Sequence, residues 1–70
     1  MPTDTARRAL AIDILDHDRT GGFAGTTLAL LDYFTDTAKA TDSNFTESRA
    51  SIRRHRYTAL INWANENASN

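Results

Sequence analysis

The chain contains no cysteine, one proline and three glycines. Without cysteine there is no disulfide and no thiolate metal site, and the two histidines, His17 and His55, stand far apart in sequence. Proline occurs only at position 2 and the glycines only at 21, 22 and 25, so nothing else in the chain obliges a helix to break. Long apolar runs are missing too. Asp13 cuts the N-terminal run "ALAI" short of the core of a signal peptide. No window approaches the roughly 18 apolar residues of a spanning helix. The expectation is a cytoplasmic protein with no membrane association.

What is present is one domain's worth of chain, 70 residues. A chain of this size hides only about 60% of its unfolded surface on folding, which leaves stability marginal. With staples excluded, self-association is the remaining cheap way to enlarge a core, so homodimerisation is expected. The net charge of -1 hides an uneven distribution. Residues 1–47 hold four basic groups against eight acidic ones, and residues 48–70 hold four arginines against Glu66 alone. The chain is a charge dipole along its length.

Periodicity predicts an all-α fold, a single domain over 1–70 with three helices at about 4–17, 24–39 and 45–65 and a frayed tail at 66–70. Thr3 or Asp4 can cap the first helix, whose apolar residues Leu10, Ala11, Ile12, Ile14 and Leu15 cover more than half of the circumference. The second carries a stripe of Phe23, Thr27, Leu30, Leu31, Phe34 and Ala38, with Asp32 and Asp36 on the far side. Asn44 with Glu47, a capping-box pattern, or Ser43 with Thr46 starts the third. Its C-terminal half offers Tyr57, Leu60, Ile61, Trp63 and Ala64 as an apolar face. No stretch combines strand alternation with β-branched or aromatic enrichment.

The third helix carries the feature that most invites a functional reading. Arg49, Arg53 and Arg56 fall within about 40° of Leu60 on a helical wheel, while Arg54 points well away. The face that is apolar near the C-terminus is thus cationic near the N-terminus, where cations oppose the helix dipole. Something must favour them there. Asp13, Asp16 and Asp18 in one region and Asp32 and Asp36 in another are the acidic complement within the chain. An acidic surface on a partner protein is the external one, with nucleic acid the competing reading. Against nucleic acid stand the acidic excess elsewhere and the absence of a compact glycine turn between the second and third helices.

One segment looks like chemistry. "DHDRTGG" resembles the opening of an EF-hand calcium loop, with Asp16, Asp18 and Thr20 as the first ligands and Gly21 at the turn, but the closing position is Thr27 instead of glutamate. It also resembles the D-x-D-x-T motif of haloacid dehalogenase-like phosphatases, a family whose parallel sheet this helical pattern does not supply. "GGFAGTT" has the glycines of a phosphate loop without its lysine. No nucleophile, base and orienting group can be assembled. The expectation is therefore a non-enzymatic protein-interaction module, a regulator, adaptor or inhibitor, with no cofactor and no metal. Arg49, Arg53, Arg54, Arg56 and Trp63 are its partner-binding residues.

Overall fold

A computed structural model describes residues 4–21, 23, 28–45 and 53–69, and for Asp4, Leu28, Arg53 and Arg54 the backbone alone. They form three helices, α1 (Asp4–Arg19), α2 (Leu28–Thr41) and α3 (Arg53–Ala68), and the described residues include no strand. The fold is all-α, as the periodicity predicts.

Helix α1 runs two residues beyond its expected end, so Asp16 and Asp18 lie within the helix and not in a loop. The break comes where backbone chemistry requires it. Gly21 takes a positive φ of 78°, and its N–H donates to the Asp18 carbonyl at 3.0 Å. The Thr20 N–H reaches the Asp16 carbonyl at 3.1 Å, and its hydroxyl donates to the Asp16 and His17 carbonyls at 3.0 and 3.2 Å. The last free carbonyls of α1 are thereby satisfied by a left-handed glycine and a threonine hydroxyl.

Helix α2 extends to Thr41, with the Thr37 and Thr41 hydroxyls bonding back to the Tyr33 and Thr37 carbonyls at 2.7 and 2.8 Å. Its expected start at residue 24 and the stripe position Thr27 lie outside the described residues. So does Glu47 of the expected capping box. Asn44 instead occupies a turn in which its N–H donates to the Asp42 carboxylate at 2.9 Å. At the far end α3 stays helical to Ala68, because Asn67 Nδ2 donates to the Trp63 carbonyl and Ser69 Oγ to the Asn65 carbonyl, both at 2.8 Å. Residues 66–68, expected to fray, are part of the helix.

The core is built from Ala11 and Ile14 of α1, Phe34 and Ala38 of α2, Phe45, and Ala59, Leu60, Trp63 and Ala64 of α3. Ile14 and Leu60 are fully buried. Each such side chain contributes about 1.5–3 kcal/mol relative to exposure. Small residues let helices approach closely where Ala11, Ala38 and Ala64 are all at 0% exposure. Contacts at the two ends set the helix directions. Tyr57, early in α3, meets Asp18, late in α1, whereas Trp63, late in α3, meets Asp42 at the end of α2. Arg56 meets Asp32 early in α2. Helices α2 and α3 therefore run in the same sense and α1 runs against both, with α1 and α3 making the most extensive contact.

Thr35 departs from the sequence reading. It is 2% exposed, about 40° beyond Leu31 at the edge of the apolar arc, and its hydroxyl finds no hydrogen-bond partner among the described residues. A lone buried hydroxyl costs about 1–3 kcal/mol. Ile12, assigned to the apolar arc of α1, is 44% exposed because neither α2 nor α3 reaches its side of the helix.

Candidate functional site

Two polar bridges fix the N-terminal half of α3. The Arg56 guanidinium donates to the Asp32 carboxylate of α2, with side-chain exposures of 28% and 44%. One residue on, the Tyr57 hydroxyl donates to the Asp18 carboxylate of α1. Consecutive residues of a helix point about 100° apart, so neighbouring positions clamp two different helices. Donation to Asp18, then burial, then the Asp18 charge push the Tyr57 phenol above the usual tyrosine range.

An aromatic group lies beneath these bridges. His17 stacks edge-on to Phe34 at 5.0 Å and sits 6.1 Å from Phe23, which in turn meets Phe34 at 5.9 Å and Tyr57 at 6.0 Å. These separations suit edge-to-face pairs. His17 Nδ1 lies 3.2 Å from the Asp13 carbonyl and 3.7 Å from its carboxylate, tying the ring to its own helix. Asp18, Gly21, Phe23 and Tyr57 border an open groove of about 370 Å³.

The opposite end of α3 holds the second polar centre. Trp63 is 6% exposed, packs 6.0 Å from Phe45, and donates its indole N–H to the Asp42 carboxylate at 2.9 Å. Asp42 follows the last turn of α2, where the helix dipole disfavours an anion. The indole bond, then the Asn44 N–H, with the Arg7 charge in support, outweigh burial and hold its carboxyl below the usual carboxylate range. Asp42, Asn62, Trp63 and Glu66 border a cleft of about 290 Å³.

The residues expected to bind a partner are therefore placed unequally. Arg49 lies outside the described residues, as do the side chains of Arg53 and Arg54, which are the first two residues of α3. Arg56 is engaged by Asp32. Trp63 is a core residue and not an exposed anchor, since Phe45 and Asp42 cover its ring and its N–H. Tyr57, expected in the core, is 42% exposed because its hydroxyl reaches out to Asp18.

Of the acidic complement, Asp16 pairs with Arg19 at 2.7 Å on its own helix, and Asp13 and Asp36 are exposed. Asp18 and Asp32 meet α3. Among the described residues no three histidine, aspartate or glutamate side chains converge as a metal site would require. Sequence reasoning missed Asp42, Phe45 and Thr35. The signal for Asp42 was an aspartate placed against the dipole at the end of a helix, and an anion there needs donors.

No protein-family model, curated protein or solved structure matches the chain.

Proposed function

We propose that the protein is a non-enzymatic protein-interaction module, self-associating and cytoplasmic, that presents the start of its third helix to an acidic surface on a partner protein. The observation that carries this reading is the pair of bridges at Arg56 and Tyr57. They hold the first turns of α3 fixed against both other helices, immediately after the two consecutive arginines that open it. A cationic helix start whose dipole also favours anions is suited to carboxylates. Its rigidity lowers the ordering cost of binding.

The ionisable groups support a binder without chemistry of its own by the way they are used. Asp16 is paired with Arg19, Asp18 with Tyr57, Asp32 with Arg56 and Asp42 with Trp63. Each holds a helix end or joins two helices. No helix among the described residues is long and apolar enough to cross a membrane.

The test compares wild type with an Arg49→Ala, Arg53→Ala, Arg54→Ala triple variant in titrations against poly-glutamate and against single- and double-stranded oligonucleotides. The expected result is binding to poly-glutamate that the triple variant loses. Binding to oligonucleotides alone, with affinity falling steeply as salt rises, would establish nucleic acid as the partner instead. Equal binding by the two proteins overturns the role of the arginines.

A further inference from the structure

Helix α1 has an outer face that the bundle leaves uncovered. His17 contacts Phe34 of α2 and Asp18 contacts Tyr57 of α3, which places both neighbours on one half of the helix. Thr5, Arg8, Ala9, Ile12, Asp16 and Arg19 are all exposed on the other half. Ile12 is the large apolar residue among them, at 44% exposure. Arg8 precedes it by one turn and Asp16 follows it by one turn, so cation, isoleucine and anion form a single stripe along the outside of the helix.

That stripe is complementary to itself when reversed. We propose that a second copy of this chain packs its α1 antiparallel on this face, about a two-fold axis at Ile12. The proposal rests on the self-association included in the function above and assigns it a surface. With Ile12 on the axis, Arg8 of each copy lies opposite Asp16 of the other, so each Asp16, paired within its own helix to Arg19, is shared with the facing Arg8 and the interface forms two identical cross-copy ion pairs. Ile12 then meets its own symmetry mate, with the small, exposed Ala9 beside it. A two-fold contact requires such self-matching, and a parallel arrangement would set like charges together. Antiparallel packing also opposes the two helix dipoles favourably. The occupant is a second copy because the sign pattern reads plus, apolar, minus from one end and is met by its own reverse.

A single helix pair is a small interface, so the dimer is weak, with dissociation in the micromolar to hundred-micromolar range at about the lower limit of specific contacts. Sedimentation equilibrium on the full chain across that range provides the test. Wild type is expected to dimerise. Ile12→Arg is expected to remain monomeric with an unchanged melting curve, since the side chain it replaces is on the surface.

Arg8→Asp and Asp16→Arg, taken singly, should each weaken the dimer by about tenfold, because two pairs become two repulsions. The double variant should regain dimerisation to within about threefold of wild type. Arg8→Asp puts an anion toward the start of α1 and Asp16→Arg a cation toward its end, but the latter also breaks the Asp16–Arg19 pair at 2.7 Å, so a melting curve of each variant separates lost dimerisation from lost stability.

Wild type that stays monomeric throughout overturns both this inference and the self-association it rests on. A dimer indifferent to Ile12→Arg overturns this surface alone. Dissociation by Ile12→Arg without rescue by the charge exchange overturns the antiparallel register.

Discussion

Replacing Trp63 with phenylalanine tests how α2 and α3 are joined at their C-terminal ends. The substitution leaves an aromatic ring against Phe45, but it removes the indole's second ring and the N–H that donates to Asp42 at 2.9 Å. Lost packing at a site 6% exposed is worth about 1–2 kcal/mol. A hydrogen bond to a carboxylate contributes about 1.5–3 kcal/mol when fully buried, and half-burial of Asp42 reduces this to about 1 kcal/mol. The total of about 2–3 kcal/mol is a large part of what a domain this small possesses.

Urea unfolding followed by far-ultraviolet circular dichroism is the suitable assay, because the variant lacks the chain's one tryptophan. A double-mutant cycle with Asp42→Ala isolates the bond from the packing, and its coupling is expected at about 1 kcal/mol. The pH dependence gives an independent check. A carboxyl whose folded pKa is depressed stabilises the fold above its unfolded pKa, and that contribution disappears as pH falls through the folded value. The indole is the first cause of the depression. The stability gap between wild type and Trp63→Phe should therefore narrow as pH falls through and below the usual carboxylate range. A coupling below about 0.3 kcal/mol, or a gap that does not change with pH, would refute the reasoning.

Three further outcomes follow from the same geometry. Thr35→Val exchanges a buried hydroxyl without a partner among the described residues for a methyl of similar size, and should raise the urea midpoint by the equivalent of about 1 kcal/mol; a lower midpoint would mean that the hydroxyl is satisfied. Tyr57→Phe should cost about 0.5–1 kcal/mol at neutral pH. The raised phenol pKa makes the wild-type contribution complete below about pH 10 and lost as pH rises through the folded value, so alkaline melting curves of the two proteins should converge. Gly21→Ala should lower the melting temperature by the equivalent of about 1 kcal/mol; a Cβ there meets no atom within 4 Å, so the whole cost is the φ of 78°.

The three helices were legible in the sequence because helical periodicity is a local property, and the glycine cluster and polar joint separated its segments. Phe34, Ala38, Leu60 and Ala64 were legible as core for the same reason, since each lies at the middle of an apolar arc. The ends of the helices were less legible. The extension of α1 through Asp18 depends on where Gly21 turns left-handed, and the extension of α3 to Ala68 depends on side chains bonding back to carbonyls.

What only the tertiary structure decided is which residues at the edge of each arc are covered, and by what. A wheel assigns Ile12, Tyr57 and Trp63 an angle, but burial of that angle depends on the neighbouring helix. Ile12 and Tyr57 proved exposed and Trp63 buried. The polar joints are likewise invisible to local pattern, because Arg56 and Asp32 stand 24 residues apart, Tyr57 and Asp18 39, and Trp63 and Asp42 21. The sequence alone determined that an excess of arginine would fall at the start of one helix and an excess of aspartate elsewhere. Packing decided that Arg56 would be taken up by Asp32, because an ion pair forms only where two helices bring its members within reach.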